Sequence, residues 1–296
     1  MTSPQLPNLR IIECVGEGGM SSVWKAEDLV RRQIVAVKIL KAPESLSPEE
    51  LAAFRDEELA MSEIQHPGIV EAYYINHVDG IWYIVMEFVD GYTFAEFLTR
   101  KSRVSEADAL LICESVATAL DYVWNEHGIV HCDIKPENIM INTSGIVKLT
   151  DLGISHRFDL ARAGMSHDAG DHVLGTPAYI SPEQVYGDVE LDCRADIYSL
   201  AATLYHLSTG RILFPALSTE ETMRAHCSLE TQANDPRAYQ PSLSEGFCQM
   251  LEAMLVKDRD ARLSSWADVL QMCQDVEQGV RFKPREGSSP SSIRLS

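Results

Sequence analysis

The 296-residue sequence predicts an α+β chain in two lobes, a small β-rich lobe followed by a larger α-helical one. Three observations carry this. Up to Val89 the apolar residues fall in short runs rich in β-branched and aromatic side chains. Beyond Asp90-Gly91 they recur at helical spacing over longer stretches. The composition, 45% hydrophobic and 23% charged, is enough to fill a core in each lobe. The expected boundaries are an N-terminal extension over 1–7, the first lobe over 8–90 and the second over 91–280. Residues 281–296 hold Pro, Ser and Gly with little apolar matter, and are expected to be disordered.

In order along the chain, Leu9–Val15, Val23–Ala26, Ile34–Leu40 and Ile81–Phe88 read as strands bounded by glycine or charge. Ser47–Glu63 reads as the one helix of the first lobe, with Ser-Pro at its start and acids in its first turn. Ala107–Trp124, Asp196–Leu207 and Leu243–Leu255 read as long buried helices.

Charge and cysteine usage exclude several classes. Lys and Arg total 25 against 44 Asp and Glu, a net charge of −19, and both lobes are acidic. Neither offers the basic face that nucleic acid or an anionic lipid surface requires. The seven cysteines form no C-x-x-C pair, so neither a zinc site nor a disulfide framework is expected. The start, MTSPQLPNLR, lacks an apolar signal core, and no run approaches the roughly 18 apolar residues of a membrane helix. A cytoplasmic location with free thiols is the expectation.

Four segments carry chemistry. Gly16-Glu17-Gly18-Gly19-Met20-Ser21-Ser22-Val23 lies between two strands, where bare backbone N–H groups can approach phosphate oxygens. Alone it is equally a ligand-free hairpin turn, but a dinucleotide fingerprint is excluded because a strand, not a helix, follows. Val35-Ala36-Val37-Lys38 places a lysine at the end of an apolar strand, where a buried ammonium needs an anion; surface snorkelling is the alternative. The helix after it carries Asp56-Glu57-Glu58, of which one could be that anion. His131-Cys132-Asp133-Ile134-Lys135-Pro136-Glu137-Asn138 precedes a strand, and Thr150-Asp151-Leu152-Gly153 follows. Asn138 and Asp151 could hold a hard cation through oxygen, leaving Asp133 as a base or orienting acceptor. Finally, the aperiodic stretch 156–173 leads into Gly175-Thr176-Pro177-Ala178-Tyr179-Ile180-Ser181-Pro182-Glu183, and a loop of that length is usually functional.

Together these segments resemble eukaryotic-type protein kinases from about Asn8 to Gln278, in the family's order and spacing. The pieces GEGGMSSV, VAVK, HPGIV, MEFVDG, HCDIKPENIMI, DLG, GTPAYISPEQ, DIYSLAATLYHLSTG and KDRDARLS are most similar to bacterial Ser/Thr kinases of the PknB-like group. The resemblance implies a bilobal protein-kinase-like fold, ATP and Mg²⁺ as cofactors, and Ser/Thr hydroxyls of protein substrates as acceptors. It implies that Gly16, Gly18 and Gly19 cover the phosphates and that Lys38, held by Glu57, contacts the α- and β-phosphates. Asn138 and Asp151 are implied as Mg²⁺ ligands, Asp133 as the base, and Lys135 as neutraliser of the transferred phosphoryl group. Adenine is implied to lie between Val15, Val23 and Ala36 on one side and Met140 on the other, with backbone bonds along Glu87–Val89 and Met86 as gatekeeper. Lys135 with Thr176 implies serine/threonine specificity. Asp196 is implied as an anchor of the catalytic loop, Glu183 with Arg262 as a buried ion pair, and His131, Leu152 and Met61 as stacked spine residues.

Three positions depart from the family pattern. Ser21 replaces a glycine and Leu152 a phenylalanine, both mild changes. Cys132 stands where the family has the arginine that pairs with a phosphorylated loop residue, so activity independent of loop phosphorylation is expected, with Cys132 as an inert buried thiol. The segment between Asp151 and Gly175 offers only Ser155 and Ser166 as hydroxyls, which agrees. A pseudokinase scaffold and a small-molecule kinase are the competing readings. Oligomeric state, physiological substrate and upstream signal have no signature in the sequence.

Overall fold

The computed structural model describes residues 4–18, 21–40, 63–152, 176–188, 190–216 and 218–280. The chain divides into two compact units, Met1–Asp90 and Gly91–Ser296. Its architecture is kinase-like, a small β-rich unit followed by a larger helical one.

The first unit holds β1 (Leu9–Glu17), β2 (Ser21–Asp28), β3 (Gln33–Leu40), β4 (Ala72–Val78) and β5 (Ile81–Glu87). They form one antiparallel sheet in the order β1-β2-β3-β5-β4. β2 alternates strictly between buried and half-buried residues, the period-2 signature of a strand with one face on a core. That core consists of Trp24, Ala26, Val35, Val37, Tyr83 and Val85, joined by Leu6 and Leu9. Burying each large apolar side chain there contributes about 1.5–3 kcal/mol. β4, which the sequence pattern does not reveal, is an edge strand with no fully buried residue, so its apolar residues do not alternate. The helix expected over Ser47–Glu63 and the tail 281–296 lie outside the described residues.

The second unit contains α1 (Phe94–Lys101), α2 (Glu106–His127), α3 (Pro182–Tyr186), α4 (Cys193–Thr209), α5 (Thr219–Cys227), α6 (Glu245–Met254) and α7 (Trp266–Glu277). A small sheet of β6 (Gly91–Thr93), β7 (Ile139–Asn142) and β8 (Val147–Leu149) is antiparallel throughout. α4 buries 15 of its 17 residues, including Asp196, Ser199 and Thr203, and is buried on every side because it runs through the core. α2 packs against α4 and α7 and buries the stripe Ile112, Cys113, Val116, Ala119, Leu120 and Val123. Ser105 and Asp108 close its N-terminus as a capping box, and left-handed Gly128 ends it. β7 begins directly after Asn138, and this ordering places the polar loop 131–138 at the start of the middle strand of the small sheet. No helix of the described residues is long and apolar enough to cross a membrane.

Candidate active site

The loop between α2 and β7 is held by its backbone. Asp196, in the first turn of α4, accepts from His131 N–H through Oδ2 at 2.7 Å and from Cys132 N–H through Oδ1 at 2.8 Å. Burial pushes its carboxyl up to about 6, against the His131 ring and those two backbone donors, which favour the anion. The His131 ring is fully committed: Nε2 lies 3.0 Å from the Thr150 carbonyl and Nδ1 accepts from Asp133 N–H at 3.2 Å. A carbonyl can only accept and an amide can only donate, so the proton sits on Nε2 and the ring orients the loop. Cys132 adopts φ +66°, an uncommon backbone state for a non-glycine residue. Its thiol is buried, and burial, then Asp196 and Asp133, raises its pKa well above that of an ordinary thiol, which makes it unreactive.

Three side chains converge on Asp133. Its Oδ2 lies 2.7 Å from Lys135 Nζ and 3.0 Å from Asn138 Nδ2. Its Oδ1 accepts from Thr176 Oγ1 at 3.2 Å, and that same hydroxyl accepts from Lys135 Nζ at 2.7 Å. Thr176 thus bridges Asp133 and Lys135. A 3-10 turn over Pro136–Asn138, with proline at its first position, aims Asn138 back at the acid. Asn138 Nδ2 also donates to the Asp133 carbonyl at 2.8 Å, so both amide hydrogens are spent and Oδ1 is the atom left for a cation. Thr150 N–H donates to Asn138 O at 2.9 Å, which brings Asp151 alongside; Asp151 has φ +62°. These two oxygen donors suit a hard cation that keeps water and phosphate oxygens as its other ligands. Among the described residues no group of three His, Cys, Asp or Glu could hold a metal ion alone.

Within the first unit, Gly16, Val23 and Lys38 form one cross-strand row over β1, β2 and β3, with Ile84 continuing it on β5. One step along, Lys25, Ala36 and Met86 form the next row on that same face. This is the face opposite Trp24, Val35, Val37 and Val85, so the sheet keeps Val23, Ala36, Lys38 and Met86 off the core side. Lys38 is buried and lies two residues short of the end of β3, not at the end as the sequence suggests. Val15 sits at a β-bulge, half exposed; Glu87 is the last residue of β5, and Val89 lies two residues beyond it. Gly16 and Gly18 have no positive φ, and a Cβ there would meet nothing closer than 3.6 Å. The fold would accept alanine at either position, so their smallness is left for close approach of a ligand. Met140 lies on β7 in the second unit.

Glu57, Gly19, Met61, Gly153, Gly175, Ser155 and Ser166 lie outside the described residues. Glu183 and Arg262 pair in the interior, and His131 and Leu152 are both buried. One residue that sequence reasoning passes over is Gln184, whose Nε2 donates to the Cys132 carbonyl at 2.7 Å. Its signal was the Ser181-x-x-Gln184 spacing of a capping box.

The chain belongs to the protein kinase domain family, whose pattern matches residues 9–275. It is 34% identical over 260 residues to "Serine/threonine-protein kinase PrkC" of Bacillus subtilis, covering 88% of this chain and 39% of that protein. It is 37% identical over 275 residues to "Probable serine/threonine-protein kinase SCO3848" of Streptomyces coelicolor, covering 91% of this chain and again 39% of the relative. The chain therefore spans about two fifths of the length of these relatives. Among solved structures, the Mycobacterium tuberculosis PknI kinase domain shares the fold at a TM-score of 0.70 and 22% identity, over 93% of this chain and 98% of that one.

Proposed function

We propose that this chain is a serine/threonine protein kinase that transfers the γ-phosphate of ATP to Ser or Thr hydroxyls of protein substrates. The observation that carries it is the Asp133 carboxylate, met by Lys135, Asn138 and Thr176 at 2.7–3.2 Å. Because Oδ2 already serves two donors, Lys135 and Asn138, while Oδ1 serves Thr176, Oδ1 is the oxygen with room to take the proton of an incoming hydroxyl. Lys135 then stands beside the transferred group to offset its charge, and Thr176 keeps that ammonium and the base in register. Asn138 Oδ1 and Asp151 would hold Mg²⁺, which when bound neutralises phosphate charge. Lys38, with Glu57 as its partner, serves the α- and β-phosphates; Val15, Val23, Ala36 and Met140 enclose the adenine; Glu87 and Val89 offer backbone bonds. A cytoplasmic site of action belongs to the same reading.

Cys132 makes the activity independent of loop phosphorylation, since a buried thiol offers no cation to a phosphate. Replacing Ser166 by alanine should leave transfer within a few-fold of wild type, and a loss beyond tenfold would refute that independence. The pseudokinase reading is disfavoured because Lys38, Asp133, Asn138 and Asp151 are all present. Incubation with ATP and Mg²⁺, wild type against Asp133→Asn, decides it: transfer should occur only in the wild type. If phosphate reaches sugars or amines and never peptides, the small-molecule kinase reading wins.

A further inference from the structure

Gln184 is the third residue of α3 and is buried. Its Oε1 accepts from Ser181 N–H at 3.2 Å and Ser181 Oγ at 2.9 Å, which closes the cap of α3. Its Nε2 does something a cap does not need: it reaches 52 residues back along the chain to the Cys132 carbonyl at 2.7 Å. That carbonyl belongs to the peptide plane whose other end is Asp133 N. The N–H of Cys132 is held by Asp196 and the N–H of Asp133 by His131. Cys132 is thus fixed at φ +66° with both polar backbone groups satisfied by side chains, one from α4 and one from α3. A left-handed backbone at a non-glycine residue persists only where its surroundings over-determine it.

We infer that Gln184 is a positioning residue for Asp133, a charge-free link that ties the segment from Thr176 to α3 to the peptide bearing the catalytic carboxylate. The segment and the loop meet at two residues of the segment, Thr176, whose Oγ1 bonds Asp133 Oδ1 and Lys135 Nζ, and Gln184, whose Nε2 bonds Cys132 O. None of these contacts involves a cation at position 132, so the coupling needs no phosphate. Removing the last leaves the Cys132 carbonyl without its donor in a dry site and frees the peptide plane to turn.

This inference rests on the kinase reading of the site. Gln184→Glu keeps an oxygen for the Ser181 cap and replaces only the donor to Cys132; Gln184→Met removes both and introduces no charge, in case the carboxylate prevents folding. Ser181→Ala weakens the cap and spares the link. The readouts are kcat and KM with ATP, Mg²⁺ and a serine peptide flanked by arginines, plus amide hydrogen exchange at Cys132 and Asp133. Expected is a fall in kcat of about tenfold or more for both Gln184 variants, KM for ATP unchanged, and faster exchange at those two amides. Ser181→Ala should melt earlier while keeping its kcat. Wild-type kcat in a folded Gln184 variant, or an equal loss in Ser181→Ala, overturns the inference. A wild type that transfers nothing overturns the kinase reading instead, and hydrogen exchange then tests the link by itself.

Discussion

Arg262 grips the Glu183 carboxylate with two parallel hydrogen bonds, Nη1 to Oε1 at 2.6 Å and Nη2 to Oε2 at 3.0 Å, with both side chains at most 4% exposed. Its Nε donates to the Val256 carbonyl at 2.7 Å, and its guanidinium lies 5.0 Å from the Tyr198 ring centroid. Glu183 directly precedes Gln184, so this pair anchors α3 to the segment between α6 and α7. Taking one partner away strands a charge in a dry interior. Arg262→Met and Glu183→Gln should each lower stability by about 3–5 kcal/mol in urea titrations. The double variant Glu183→Leu/Arg262→Met should lose less than the two singles combined, because no lone charge remains. Single variants with a wild-type urea midpoint would show the pair to be energetically idle.

Gly91 is fixed by close approach. A Cβ there would lie 2.0 Å from the Ile141 carbonyl oxygen and 2.8 Å from Asn142 Cα, both backbone atoms of the paired strand. Neither can swing aside as a side-chain tip could. Gly91→Ala should destabilise the protein by about 1–3 kcal/mol through forced separation of β6 from β7. Gly145→Ala is the control: its Cβ would meet nothing within 4 Å, and its φ of +81° isolates the conformational cost alone. If urea midpoints for the two variants coincide, the steric account of Gly91 fails.

What the sequence makes legible divides by physical cause. The loop 131–138 is readable because its polar residues fall at fixed local offsets, and Asp133, Lys135 and Asn138 do meet. β2, β3 and β5 were readable because each turns one apolar face to a core. β4 was not, being a half-buried edge. α1 and α5 bury only Phe94, and Thr222 with His226, so the apolar period is faint in both. Their N-caps, Thr93 with Glu96 and Ser218, were the signal available. The link from Gln184 to Cys132 joins residues 52 apart in sequence, and no local pattern encodes such a contact.

His226 gives the helical unit a pH dependence of definite sign. Its ring is buried between Tyr198 and Phe214, both edge-on, and accepts or shares a hydrogen bond with Tyr198 Oη at 2.9 Å. Burial, then the nearby Lys257 ammonium, lowers its pKa to about 3, so the folded protein keeps it neutral. An unfolded histidine takes its proton near 6.5. Between those values the unfolded chain binds more protons than the folded one, so stability rises with pH across the window and is lost as pH falls from about 6.5 towards 3. Asp196, pushed up to about 6, slopes the opposite way between about 4 and 6, so the contribution of His226 must be isolated by difference. Melting temperatures of wild type and His226→Gln between pH 4 and 7 should converge as the pH falls, since only the wild type has that proton to gain. Parallel curves would mean that His226 is already charged, or hydrated, in the folded state.

Thr176 tests whether the bridge between Lys135 and Asp133 matters for chemistry or only for folding. Its hydroxyl donates to Asp133 Oδ1 at 3.2 Å and accepts from Lys135 Nζ at 2.7 Å, while the direct Lys135 to Asp133 contact of 2.7 Å remains without it. Removing the hydroxyl therefore does not strand a charge, and stability should change by less than about 1 kcal/mol. With Asp133 as the proposed base, catalysis is more exacting, because small displacements of a general base are costly to rate. Thr176→Val, nearly the same shape without the hydroxyl, should lower kcat by about tenfold or more in peptide phosphorylation, with KM for ATP held. Thr176→Ser restores the hydroxyl and should recover most of the rate. A Val variant as active as wild type would reduce the bridge to a packing contact, and an equally inactive Ser variant would place the requirement on the methyl group instead.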